Sequence, residues 1–230
     1  MKFDNKIIKK CITNNISLVE KGLVVQNFGN SSIKIEKNYF AIKPSGVNLN
    51  KLKFNDIPII RISDGKTFFS KLRPSVDTPI HQEIYKNFKN VTNISHTHSK
   101  FASSWAQSGK NIPNFGTTHS DVSLEDIKNL NYLNKLKTYR NYEKNLGIQI
   151  VNYIKKLKNP FYVPGVLLSG HGVFTWGKNN SDSVMNAELI EYIAEMALYT
   201  KIIRTNKKIP KYLKEKHFFR KHGLDSYYGQ

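Results

Sequence analysis

Residues 164–177 read PGVLLSGHGVFTWG. Two apolar runs, each too short for a helix and bounded by glycines, predict two short buried strands that pivot at Gly170 and Gly172. Helical and strand patterns alternate through the rest of the chain. Phe3, Ile7, Ile8, Cys11, Ile12, Leu18 and Val19 recur at helical spacing and predict an amphipathic first helix ending near Gly22. Short β-rich runs with turn residues follow over 22–47, and IPIIRIS (57–63) predicts a further strand. DTPIHQEIYKNF opens with Asp-Thr-Pro, a helix-start signal, and carries Ile80, Ile84 and Phe88 as an i, i+4, i+8 stripe. The stretch after it, VTNISHTHS, predicts a strand. SDSVMNAELIEYIAEMALYTKII predicts a long helix capped by Ser181 or Asp182. Residues 122–146 show no assignable pattern. Interleaving of this kind predicts an α/β layered domain. A 39% hydrophobic content with glycine and proline scattered along the chain predicts that residues 1–230 form one domain.

The formal net charge of +19 invites a nucleic-acid partner. Only Arg61, Arg73, Arg140, Arg204 and Arg220 of the 36 basic residues are arginines, whereas phosphate and base-edge recognition favour the bidentate arginine fork. The excess is lysine, spread along the chain beside abundant asparagine and isoleucine, so no nucleic-acid partner is expected; a small anionic substrate remains compatible. No apolar run approaches the ~18 residues of a membrane span. Cys11 is the only cysteine, and the first residues lack an apolar signal core. A cytoplasmic enzyme with no membrane partner is expected.

ISHTHSKF (94–101) places His96 and His98 at i and i+2 of an extended segment. Side chains at that spacing share one face, about 6.5–7 Å apart along the strand, so both imidazoles can converge on one ion. A catalytic zinc takes three protein ligands and keeps a position open. His171, flanked by Gly170 and Gly172, is the third ligand by this reading, because the glycines let the backbone approach closely. Asp77, opening the helix that precedes the HTH strand, is the fourth. Three imidazoles and a carboxylate suit Zn2+, with Mn2+ or another divalent ion also compatible. Read singly, Asp77 is equally a helix cap and each histidine equally a core residue. The following residues fit neither HxHxDH nor a cupin site, which needs a nearby glutamate.

Two turns upstream, FGNSS (28–32) and KPSG (43–46), combine glycine with small hydroxyls. Gly29, Asn30, Ser45 and Gly46 can offer N–H donors to a phosphate, Lys43 a positive charge, and Ser75 can close the ring. Neither spacing is a Walker or dinucleotide fingerprint, and plain turns between strands are the other reading.

The segments GNSS, IKPSGV, RPSVDTPIH, HTHS, WAQSG, GTTHSD, PGVLLSGHGVFTWGK and HFFRKHGLDSYYGQ, in this order over nearly the whole length, resemble the class II aldolase superfamily. The YYGQ ending resembles its L-ribulose-5-phosphate 4-epimerase branch more than the sugar-phosphate aldolases sharing the metal site, which are the alternative. The resemblance implies a three-layer αβα domain with a central, largely antiparallel sheet, and a homotetramer with active sites between subunits. It implies metal ligation by Asp77, His96, His98 and His171, and substrate phosphate bound by Gly29, Asn30, Lys43, Ser45, Gly46, Ser75 and Val76. It further implies an acid/base pair of Asp121 and Tyr228, with His217 and Arg220 bordering the shared site. The substrate would be a phosphorylated pentulose, cleaved between C3 and C4, rotated at the aldehyde and rejoined. Val76 stands where the family usually has a second serine, and VSLEDIKNLNY follows Asp121 in place of the family's usual stretch. Cytoskeletal relatives keep the fold but lose the histidines; all three are present here.

Overall fold

A computed structural model describes residues 3–203, 207–224 and 226–227. Its centre is an eight-stranded sheet in the order β4-β3-β2-β1-β5-β8-β7-β6. The strands are β1 (Gly29–Ile35), β2 (Tyr39–Ile42), β3 (Ile59–Arg61), β4 (Thr67–Phe68), β5 (Asn93–Thr97), β6 (Asn129–Leu130), β7 (Gly165–Leu168) and β8 (Gly172–Gly177). Every pairing is antiparallel except β6 with β7. The apolar run 164–177 is the hairpin β7–β8, whose two strands are buried throughout because helices cover both faces, while its turn at Gly170 is exposed.

On one face lie α2 (Thr78–Asn87) and α6 (Tyr142–Ile154). Ile80 and Ile84 of α2 and Leu146 and Ile150 of α6 pack with Phe40, Ile94, Phe174 and Trp176 of the sheet. The helices cross closely at Gly147: a Cβ there would lie 2.9 Å from the Glu83 Cβ and 3.0 Å from the Ile80 Cα. The other face carries α1 (Asn5–Glu20), α3 (Lys100–Gln107) and α7 (Asp182–Ile202). Ile8 and Cys11 of α1 meet Ile33 and Ile35, while Ala102 of α3 and Ile190 and Ala194 of α7 meet Leu167 and Val173. Three layers result, as the resemblance implies. At one end α4 (Thr117–Val122) packs against α8 (Lys211–His222).

Two local expectations are refined. Residues 122–146, unassigned from sequence, hold the end of α4, β6, α5 (Lys135–Tyr139) and the start of α6. These pieces are too short to show a period. Ser181 sits at the cap position of α7 without a capping side-chain bond, and the Asp182 carboxylate instead accepts the N–H groups of Lys178 and Asn179. Among the described residues no helix is long and apolar enough to cross a membrane.

Candidate active site

His96 lies in the middle of the sheet, directly opposite Asn30 of β1 on one side and Phe174 of β8 on the other. Its ring stacks on Phe174 at 4.2 Å and 12°, and its Nδ1–H donates to the Val173 carbonyl at 3.0 Å. That bond leaves the Nε2 lone pair facing outward. His98, one residue past the end of β5, points the same way, as the two-residue alternation requires, and its Nε2 stands 2.9 Å from His96 Nε2. His171 arrives from the β7–β8 turn. Its ring centre is 4.8 Å from that of His96 and 5.1 Å from that of His98.

Gly172 permits this approach. A Cβ on it would lie 2.5 Å from the Thr97 carbonyl oxygen, 3.2 Å from His96 Cε1 and 3.3 Å from His98 Cδ2. The three histidines offer ligand nitrogens within 4.8 Å of one another. A tetrahedral ion at roughly 2.0–2.1 Å from each nitrogen sets nitrogens roughly 3.4 Å apart, so even a pair at the 4.8 Å limit closes by about 1.4 Å, roughly 0.7 Å per side chain. Burial lowers the pKa of all three imidazoles, and their mutual proximity adds to this for His96 and His98. Neutral imidazoles keep the lone pairs that a cation needs. His171 Nδ1 is buried with no hydrogen-bond partner among the described residues, and the donor set as a whole fits a divalent ion.

Asp77 joins from the start of α2. It occupies the cap position but makes no capping bond, because its carboxylate is turned toward the sheet. Oδ2 accepts from Asn30 Nδ2 at 2.7 Å and lies 4.0 Å from His96 Nε2. Asp77 therefore flanks the triad as an oxygen donor beside the same face.

The residues expected from sequence to cradle a phosphate line the same cleft, of about 220 Å³: Gly29, Asn30, Lys43, Ser45, Gly46, Ser75 and Val76, together with Asp77 and the three histidines. Lys43 is only 3% exposed. Burial lowers its pKa, opposed by the nearby Asp77 carboxylate. Val76 is 67% exposed, at the mouth. The backbone donors are distributed differently from the sequence expectation. Ser45 N–H donates to the Arg73 carbonyl and Ser75 N–H to the Lys43 carbonyl, which knits the two segments together and leaves Ser45 its hydroxyl for a ligand. The Asn30 side chain is turned toward Ser75 Oγ and Asp77, so it braces the carboxylate.

Asp121, His217 and Arg220 meet one another, but outside this cleft. Asp121 of α4 receives Arg220 Nη2 at 3.1 Å and stands 3.3 Å from His217 Nδ1, both on α8. Tyr228 lies outside the described residues. Sequence reasoning missed Phe28, whose ring stacks against His98 at 6.3 Å, and Glu143, whose carboxylate together with Asp77 opposes the burial effect on His171. Phe28 is the first residue of FGNSS, whose GNSS is not a turn but the start of β1, and it was open to notice. Glu143 comes from a segment without periodicity, and no local signal marks it.

Residues 10–198 match the family described as Class II Aldolase and Adducin N-terminal domain. The chain belongs to the class II aldolase family, whose aldolase-type enzymes depend on a divalent metal. Among curated relatives it is 37% identical over 227 residues to the L-ribulose-5-phosphate 4-epimerase UlaF of Salmonella paratyphi A and of Salmonella typhi, covering 98% of this chain and 99% of theirs. Among solved structures, an L-fuculose 1-phosphate aldolase superposes with a TM-score of 0.80 at 21% identity, covering 94% of this chain and 96% of that one. YgbL of Escherichia coli, a putative aldolase/epimerase/decarboxylase by its description, superposes at 0.74 with 16% identity over 93% and 98%.

Proposed function

We propose that the chain is a zinc-dependent L-ribulose-5-phosphate 4-epimerase that interconverts this substrate with D-xylulose 5-phosphate. One observation carries the reading: a cation-competent triad and a lysine-centred phosphate cradle open into one cleft. The full-length similarity to curated 4-epimerases supports the choice over a sugar-phosphate aldolase.

The hydrogen at C4 is not acidic, since the carbonyl lies two carbons away. Inversion therefore proceeds by breaking C3–C4, turning the aldehyde and re-forming the bond on its other face. His96, His98, His171 and Asp77 would hold Zn2+, or Mn2+ in its place. When bound, the ion supplies Lewis-acid stabilisation of the negative charge left on the C1–C3 fragment. Lys43, Ser45, Gly46, Ser75, Gly29 and the Val76 backbone keep the phosphate of glycolaldehyde phosphate in place while its aldehyde turns, so that the fragment is not lost. Asn30 acts by bracing Asp77.

Cleavage needs a base for the C4 hydroxyl proton, and re-addition from the opposite face needs an acid. Asp121 and Tyr228 serve these roles, bordered by His217 and Arg220. Asp121 stands apart from the cleft of its own chain, which favours a homotetramer in which a neighbouring copy completes each site. A single-domain cytoplasmic enzyme is part of the same reading.

The test is incubation of zinc-loaded protein with L-ribulose 5-phosphate and assay of D-xylulose 5-phosphate. The His96→Ala variant should be inactive. Tyr228→Phe should lose epimerisation while retaining more of the cleavage. Absence of product from the wild type, or undiminished product from His96→Ala, would defeat the reading; accumulation of cleavage products without epimer would favour the aldolase.

A further inference from the structure

Helix α2 presents Asp77, His81 and Tyr85 at i, i+4 and i+8, and strand β1 presents Asn30 and Ser32 at i and i+2. Four helical residues advance about 6 Å and two strand residues about 6.7 Å, so the two repeats run in step. They are bonded in that register. Asn30 Nδ2 meets Asp77 Oδ2 at 2.7 Å, Ser32 Oγ meets His81 Nδ1 at 2.7 Å, and Ser32 Oγ meets Tyr85 OH at 2.8 Å.

The proton order follows from counting. His81 is fully buried and Tyr85 nearly so. Tyr85 OH has Ser32 Oγ as its hydrogen-bond partner among the described residues, and a buried phenol has to donate. Tyr85 therefore donates to Ser32, Ser32 donates to His81 Nδ1, and the His81 proton sits on Nε2. Two buried atoms of this ladder then lack partners among the described residues, the His81 Nε2–H donor and the Asn30 Oδ1 acceptor. Both belong to residues that touch Asp77, Asn30 through the carboxylate and His81 through its backbone N–H to the Asp77 carbonyl at 3.3 Å.

We propose that His81 is a positioning residue for metal binding: its bond to Ser32 locks α2 on β1 one turn below Asp77 and so holds that carboxylate beside His96. The Tyr85–Ser32–His81 portion of the ladder lines none of the cleft that holds the histidine triad. It fixes the axial position of α2, on which the 4.0 Å separation of Asp77 Oδ2 from His96 Nε2 depends. This inference rests on the metal-site reading above.

The experiment measures zinc affinity and metal-free thermal unfolding for the wild type, His81→Leu and His81→Asn. Leucine removes the Ser32 partner but leaves the Ser32–Tyr85 bond. Zinc affinity should then fall about 10–100-fold, as for other groups that orient ligands, with the metal-free unfolding temperature nearly unchanged. Asparagine places an amide where Nδ1 was and should recover most of the affinity. Unchanged affinity in His81→Leu, equal losses in both variants, or a loss that merely tracks metal-free unfolding would each overturn the proposal. A wild type that binds no zinc would overturn the metal site itself, and the wild-type titration reads that separately.

Discussion

Gly172→Ala perturbs the candidate site through a single methyl group. The added carbon would lie 2.5 Å from the Thr97 carbonyl oxygen, against about 3.3 Å for an ordinary close carbon–oxygen contact. That oxygen belongs to the backbone of β5, paired with β8, so it cannot swing aside as a flexible side chain would. The strands must part by roughly 0.8 Å, the shortfall from that ordinary contact. Overpacking of this kind costs about 1–3 kcal/mol. At about 2–4 °C per kcal/mol for a chain of this size, the metal-free protein should melt roughly 4–8 °C lower for a mid-range cost. The same methyl meets His96 Cε1 and His98 Cδ2 at 3.2 and 3.3 Å, so two of the three imidazoles move with the strands. A misplacement near 1 Å costs ~10²-fold in turnover, and kcat/KM for epimerisation should fall on that order at saturating zinc. Calorimetry and a coupled assay for D-xylulose 5-phosphate read the two effects. An unfolding temperature within about 1 °C of wild type, with activity within about threefold, would refute the close-approach argument.

Further outcomes can be read from single side chains. Lys43→Met removes the buried lysine of the proposed phosphate cradle. A charged hydrogen bond contributes about 1.5–3 kcal/mol, so KM for the phosphorylated pentulose should rise roughly 10–100-fold while zinc affinity stays put; equal KM values would remove Lys43 from the cradle. Burial lowers the His119 pKa to about 4, and its Nε2–H donates to the Glu125 carbonyl at 3.1 Å. The unfolded chain takes up this proton near pH 6.5 and the folded one only near 4, so more protons are bound unfolded across that window and stability falls as pH drops through it. The slope from this group is at most ~1.4 kcal/mol per pH unit. His119→Gln, which retains an N–H donor, should flatten urea-unfolding free energy against pH by that amount between pH 6.5 and 4. Identical slopes in the two proteins would show that His119 is protonated in the fold.

The parts legible in the sequence were governed by short-range rules. His96 and His98 converge because alternation in a strand is a two-residue property, and β7–β8 was readable because a short apolar run between glycines has few other uses. Asp77 was placed correctly on α2, but whether its carboxylate caps the helix or faces the sheet depends on Asn30, forty-seven residues away. Glu143 lay beyond reach for a related reason. It is delivered to His171 by the crossing of α2 and α6 at Gly147, and nothing within residues 122–146 encodes that crossing by periodicity.

The Asp77, His81 and Tyr85 stripe holds an intermediate position. Its i, i+4, i+8 spacing is present in DTPIHQEIY, one residue out of phase with the apolar Ile80, Ile84 and Phe88 stripe that masks it. Two stripes on one short helix mean two contact faces. The apolar one packs into the core, and the polar one can be buried only if a strand offers matching groups in step. Asn30 and Ser32 of GNSS are those groups, at the two-residue strand spacing. Polar residues two apart in a central strand beside a polar helical stripe are thus a sequence-level sign of a helix held in register by hydrogen bonds. Here that helix carries a candidate metal ligand at its first turn.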